Sequence, residues 1–305
     1  MSATLGNYVS ANPLNLGNYV SADKFYRIDT ALRVPTPGLD AWRLRVTGLV
    51  DQPLSLTYAE LSELPQIQAD VTLTCVGNQV GGDLVGTARW QGVVQTVLDR
   101  AQVRGVADQL VGRSTDDFTA GFPVGLARDG RPALIALGMN GQPLPFEHGF
   151  PARLVVSGLY GYCSATKWLT EIELTRFDSF TAYWRQRGWS EPAPIATQAR
   201  IDTPRSEARL RPGPVQVGGV AWSQHRGIRA VEVAIDEGPW MRAALARELS
   251  VDSWRLWTYT WMATPGRHVL RVRATDGSGT LQPQGERQPF PSGASGWHTI
   301  AVTMT

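Results

Sequence analysis

Apolar and polar residues alternate strictly along residues 69–75. Ala69, Val71, Leu73 and Cys75 fall on one face, and Asp70, Thr72 and Thr74 on the other. A period of two predicts a half-buried strand. The alternation stops at Gly77-Asn78 and runs into Gly81-Gly82, a loop that lets backbone approach a ligand closely. Residues 42–50 alternate apolar and basic and predict another strand, while 56–61 predict a short helix. Thr57 is its N-cap, Glu60 completes a capping box, and Pro65 follows its end. In 90–101, Val93, Val94, Val97, Leu98 and Ala101 share a helical face, which predicts a helix. Strands are expected at 107–118, 133–137 and 154–156, with a turn over 139–145. Short strands and helices without regular βα alternation indicate an α+β unit.

The pattern changes near residue 190. Residues 190–214 hold five prolines and several arginines and read as a linker. Period-two strands then recur at 215–220, 230–235, 254–261, 268–274 and 299–304, with turns at Pro265-Gly266 and Asp276-Gly277. That spacing predicts an all-β, Ig-like sandwich. The expected organisation is a tail at 1–22, a first domain at 23–190, a linker at 191–214 and the sandwich at 215–305. The tail repeats Leu-Gly-Asn-Tyr-Val-Ser-Ala at 5–11 and 16–22, too short a duplication for a solenoid.

Composition narrows the classes. The chain is 43% hydrophobic and 18% charged, which suits a soluble globular protein. A net charge of +2 without a Lys/Arg run gives no footprint for nucleic acid. No basic-then-apolar leader is visible, no run approaches the roughly 18 apolar residues of a membrane span, and the compartment stays open. Two cysteines, Cys75 and Cys163, make no disulfide framework.

No nucleophile elbow, P-loop, dinucleotide fingerprint or H-E-x-x-H occurs, and the four histidines are scattered. A free cysteine is most often a packed apolar residue, but its thiolate is also a nucleophile and a soft metal ligand. A Cys75–His148 hydrolase pair is one reading of the residues alone. Another gathers the polar spots Tyr26–Thr30, Cys75, Ser114-Thr115-Asp116, His148, Arg153 and Thr166-Lys167 around a large anionic cofactor with a thiolate-binding metal.

Leu73-Thr74-Cys75-Val76-Gly77-Asn78, the run Gly138-Met139-Asn140-Gly141-Gln142-Pro143-Leu144-Pro145-Phe146-Glu147-His148-Gly149-Phe150-Pro151-Ala152-Arg153, and Lys167-Trp168-Leu169 stand in the order that resembles the sulfite oxidase family. The resemblance implies a molybdenum–molybdopterin cofactor, oxygen-atom transfer with two electrons, and a dimerising Ig-like second domain. It places the metal-bound thiolate at Cys75 and cofactor contacts at Tyr26, Arg27, Ile28, Asp29, Thr30, Ser114, Thr115, Asp116, His148, Arg153, Ala165, Thr166 and Lys167. Cys75, Arg27 and Trp189 are the implied catalytic positions.

Departures point away from sulfite. Gln79 and Val80 stand where a basic residue is expected, Trp189 where a tyrosine is, and Phe290 where an arginine is. Trp189, Tyr160 and Tyr162 predict an apolar pocket, so the substrate is expected to be a small oxyanion or an organic S- or N-oxide, the latter in the reductive direction. No haem-binding segment is present, so electrons are expected to pass to a separate cytochrome or membrane subunit. A cofactor-binding scaffold without turnover is the alternative from another class.

Overall fold

The computed structural model describes residues 18–191 and 194–305, so the first copy of the short repeat lies outside the described residues. The first region carries strands β1 (Leu44–Gly48), β2 (Leu54–Leu56), β3 (Ile67–Thr74), β4 (Val85–Val93), β5 (Gln109–Ser114), β6 (Thr119–Pro123), β7 (Ala133–Met139), β8 (Gln142–Pro143), β9 (Arg153–Val156) and β10 (Leu169–Thr175). Three short helices accompany them: α1 (Tyr58–Glu63), α2 (Gln95–Ala101) and α3 (Gly161–Ser164). One sheet runs β2-β1-β10-β5-β6 and another β3-β4-β7-β8, with β9 also on β7. The expected mixture of short strands and few helices is what the chain forms.

α1 starts as expected. Thr57 accepts from the Glu60 amide while the Glu60 carboxylate accepts from Thr57, closing the capping box. The helix expected over 90–101 shrinks to α2. Residues 90–93 pair with β7 and extend β4 instead, because ladder bonds to Ile135–Met139 outweigh a local helical pattern. The strand expected over 107–118 ends at Ser114. A turn carries the chain back along β5 as β6, with Asp117 at φ 64°.

The second region carries β11 (Gln198–Thr203), β12 (Ala208–Leu210), β13 (Gly213–Trp222), β14 (Ile228–Ile235), β15 (Met241–Arg242), β16 (Ala244–Leu245), β17 (Arg255–Ala263), β18 (Gly266–Asp276) and β19 (His298–Met304). Two sheets, β11-β13-β17-β16 and β12-β19-β18-β14-β15, enclose a core that includes Ile201, Val217, Trp257, Val231, Val272 and Val302. The stretch expected as a linker is largely structured: β11 pairs antiparallel with β13, and β12 runs parallel to β19. Proline and arginine content hid these strands because pairing decides them, β11 with nearby β13 and β12 with β19 far along the chain.

The two regions are joined through β3. Val220, Trp222 and Trp254 from the second region are buried in the core of the first. At the outer edge of β3, the Thr72 amide donates to the Asp252 carbonyl (2.9 Å) and the Trp254 amide to Thr72 Oγ1 (2.7 Å). Gln224 Nε2 donates to the Thr72 carbonyl (2.7 Å). An open strand edge is thereby covered. This also corrects the half-buried reading of residues 69–75: Thr72 and Thr74 are each 1% exposed, so both faces of the strand's end are enclosed.

Candidate active site

β3 delivers Cys75 to a cavity of about 350 Å3. The residue follows the last strand position. Its amide donates to Leu84 O (2.9 Å), and its Sγ accepts from the Gly77 amide (3.4 Å). The loop braces itself through Asn78, whose amide donates to the Cys75 carbonyl and whose Oδ1 accepts from the Leu84 amide (2.8 Å). Burial pushes the Cys75 thiol above its ordinary pKa, and the Gly77 hydrogen bond opposes this. A cation that took the proton's place would relieve that penalty.

Three cations line the same cavity as Cys75. Arg153 opens β9 and is 5% exposed. Its Nη1 donates to the His148 carbonyl (3.1 Å) and its guanidinium lies over the Trp90 ring (4.9 Å), but its Nε has no partner. Among the described residues it makes no ion pair, and burial lowers its pKa to about 10. Lys167 forms an ion pair with Asp29, donates to the Glu147 carbonyl (3.3 Å) and sits over Trp168. Burial lowers Lys167 to about 8 against the opposing pull of Asp29. Arg27 Nη2 reaches Asp29 Oδ2 at 2.7 Å, and Arg27 Nε also lacks a partner. Burial works to raise Asp29, but Lys167 and Arg27 outweigh it and hold the carboxyl low.

His148 ends a 3-10 turn, Phe146–His148, and its Nε2 lies 2.6 Å from the Ala22 carbonyl. A carbonyl only accepts, so Nε2 carries the hydrogen. Burial lowers this imidazole to about 4, which keeps it neutral at pH 7. It therefore ties down the 18–25 segment, whose Phe25 packs edge-on against both His148 and Trp90. Thr30 Oγ1 donates to Asp116 Oδ2 (2.6 Å), joining the wall at 26–30 to the turn after β5.

Of the expected residues, Tyr26, Arg27, Ile28, Thr30, Cys75, Ser114, Asp116, His148, Arg153, Ala165, Lys167 and Trp189 line the one cavity. Asp29, Thr115 and Thr166 stand behind it. Asp29 forms ion pairs with two lining cations, the Thr115 amide donates to the Trp168 carbonyl, and buried Thr166 fills space over Gly112, where an added Cβ would lie 2.7 Å from its Oγ1. Tyr160, expected in the pocket, is instead packed under Gly293, while Tyr162 does line it. Gln79 is exposed, and neither it nor Val80 lines the cavity. Cys163 is buried, donates to the Tyr160 carbonyl (3.1 Å), and both thiols are free.

Sequence reasoning missed Phe25, Phe118, Trp168 and Trp184 as lining residues. Trp168 stands in the Lys167-Trp168-Leu169 run, but the other three belong to no motif, and only the fold turns them inward. Trp184, Trp189 and Tyr162 are in ring contact and make an aromatic side to the cavity. Tyr162 meets Trp189 at 6.0 Å, and Trp189 meets Phe290 at 5.3 Å.

The donor set suits a molybdenum–molybdopterin cofactor. Two buried guanidinium nitrogens without partners and a lysine beside them want a phosphate-like anion. The thiol is a soft ligand, and no group of three or more His, Cys, Asp or Glu stands ready to hold a metal among the described residues. A metal here would complete its ligands from a non-protein group.

Comparison with known proteins agrees. Residues 31–184, half of the chain, match the oxidoreductase molybdopterin binding domain. The chain is 29% identical over 329 residues to mitochondrial sulfite oxidase of Homo sapiens, covering 91% of this chain and 58% of that protein. It is 30% identical over 309 residues to sulfite oxidase of Gallus gallus, covering 83% and 66%. It thus spans less than two thirds of the length of these curated relatives. The crystal structure of the sulfane dehydrogenase SoxCD from Paracoccus pantotrophus superposes with a TM-score of 0.82 at 21% identity, over 95% of this chain and 83% of that one, so the fold is shared across both regions. The chain belongs to the sulfite oxidase family of oxidoreductases with a molybdopterin-binding domain.

Proposed function

We propose that the cavity is a mononuclear molybdenum centre performing oxygen-atom transfer, with the Cys75 thiolate as the protein's metal ligand. The observation that carries this reading is the convergence of the Cys75 loop and the under-partnered cations Arg153 and Arg27 on one cavity. When bound, the cofactor supplies oxygen-atom transfer coupled to two-electron chemistry. The chain's own residues do the rest. Arg153 and Lys167 hold the cofactor's anionic end through charge-assisted hydrogen bonds. Neutral His148 keeps the 18–25 segment closed over that end, and the Ser114–Asp116 turn and Ala165 complete the walls.

The aromatic side favours a sulfur or nitrogen substrate of low charge. Sulfite is a dianion at alkaline pH and needs several fixed cations to leave water. Arg27, the cation implied at the reacting end, is partly offset by Asp29, whose carboxylate it shares with Lys167. Trp184, Trp189 and Tyr162 would instead exclude water and stack on an organic S- or N-oxide. The relatives named above act, by their names, on sulfite and sulfane sulfur, which supports a sulfur-centred substrate. Electrons then pass to a separate redox protein, and the two-sheet region is read as an Ig-like unit suited to homodimer formation.

Metal and pterin analysis tests the reading. Chain produced in a molybdenum-competent host is expected to hold roughly one molybdenum per chain, as a single-thiolate site requires, and Cys75→Ser to lose it. Pure chain with neither metal nor pterin would overturn the proposal in favour of a scaffold or a thiol hydrolase. Turnover of dialkyl sulfoxides and N-oxides exceeding sulfite oxidation is the expected substrate order.

A further inference from the structure

The loop that presents Cys75 does not stand on its own region alone. Its tip, Gly81-Gly82, is seated in a socket built by the second region. Arg200 on β11 donates from Nη1 to the Gly82 carbonyl (2.8 Å), while its Nε bonds Asp202 Oδ1 (2.5 Å) in a pair buried to within a few per cent. His298, the first residue of β19, packs its ring on Gly81 so closely that an added Cβ would lie 2.2 Å from Cδ2. The Ile201 amide donates to His298 Nδ1 (3.0 Å), which fixes the ring's direction. Val80 lies against Gly296 from the same side. From this socket the loop leads back to sulfur in a few bonds. Gly82 N donates to Gln79 O, Asn78 Oδ1 holds Leu84, the Asn78 amide holds the Cys75 carbonyl, and Gly77 N bonds Sγ.

We propose that Arg200 and His298 are positioning residues for Cys75: the second region's socket sets the conformation of the 75–84 loop and so the direction and hydrogen bonding of the thiolate that holds the metal. The physical reason is lever length. A loop closed by its own Asn78 is stable at its base, but its tip carries two glycines held from within only by the Gly82–Gln79 hydrogen bond, so contacts from outside restrict it further. An arginine already fixed by Asp202 costs little further ordering to hold one carbonyl. The role of the thiolate rests on the molybdenum reading above, whereas the bracing of the loop does not.

The test uses the full chain in cofactor-free and loaded forms. In the cofactor-free form, iodoacetamide should alkylate Cys75 about tenfold faster in His298→Ala and Arg200→Met, as expected for a loop released into local opening. Cys163, buried elsewhere, should stay unreactive and so reports that the fold is intact. Gly81→Ala, which collides with His298 and is strained at φ 74°, should give the same gain, and combined with His298→Ala it should gain less than the two single gains together, because both disrupt one contact. In the loaded form the sulfur-to-metal absorption band should shift in the same variants at unchanged molybdenum content. Arg200→Met leaves Asp202 without its partner; if it exposes Cys163, the His298 and Gly81 variants decide. Unchanged Cys75 reactivity and an unchanged band in folded His298→Ala and Gly81→Ala would overturn the proposal. Absence of molybdenum from the parent chain would defeat the functional reading alone, because the alkylation rates still judge the socket.

Discussion

Arg153 shows how one residue can be placed against its own stability. A guanidinium that is 5% exposed, with an unpartnered Nε and no ion pair among the described residues, has lost water without full compensation. Its cation–π contact with Trp90 returns only part of that cost. Arg153→Met is therefore expected to stabilise the cofactor-free chain by about 1–2 kcal/mol while abolishing cofactor retention. Denaturant melts paired with pterin analysis give the two opposite signs. Lys167 makes a second residue-scale prediction. Its folded pKa, about 8, lies below the ordinary 10.5, so between these values the unfolded chain binds more protons. Lys167 therefore contributes stability that rises with pH across that window, while the thiols of Cys75 and Cys163, whose pKa values burial raises, contribute the opposite slope; the stability of the parent relative to Lys167→Met should rise with pH. Chemical denaturation at pH 7.5, 9 and 10.5 would show it.

Elements were legible where their signal is local. The capping box around α1 is spelled within four residues, and it forms as expected. Thr57→Ala should cost about 0.5–2 kcal/mol of stability and leave molybdenum content unchanged, since α1 supplies no residue to the cavity wall. A melt and a metal assay on the same preparation check both halves. Elements were misjudged where a partner strand decides. Residues 90–93 carry helical periodicity yet pair with β7, and residues 198–203, rich in linker composition on either side, become β11 through β13. Ladder hydrogen bonds depend on what lies opposite, and a one-dimensional pattern does not contain that.

At the scale of the whole molecule, the two regions share structure. Trp254 comes from the second region, is 3% exposed, and is buried in the first region's core while its amide bonds Thr72 on β3. Trp254→Ala should cost about 3–5 kcal/mol, as for a large buried aromatic. It should also loosen the strand that delivers Cys75, so cofactor retention falls with stability. Calorimetry of the parent chain should show one cooperative transition rather than one per region, because the first region's core is incomplete without Val220, Trp222 and Trp254 of the second. Two separated transitions would contradict this view of the interface.

The residue types of the site and the class of elements around it are written in the chain order. The cysteine motif, the run from Gly138 to Arg153 and Lys167-Trp168-Leu169 carry chemistry that few other arrangements need, so they could be read without knowing what touches what. Which residues face the cavity could not be read that way. Asp29 and Thr166 belong to the same motifs as their lining neighbours but stand behind the wall, whereas Phe118 and Trp184 belong to none and line it. The same holds for Cys75. Alternation placed it at the end of an inward row, but the cavity it lines, the cations sharing that cavity and the socket under its loop come from residues distant in sequence, Arg200 and His298 by more than a hundred positions. Side-chain chemistry is a property of the residue. Desolvation, charge pairing and loop bracing are properties of its neighbours, and only the folded chain assigns those.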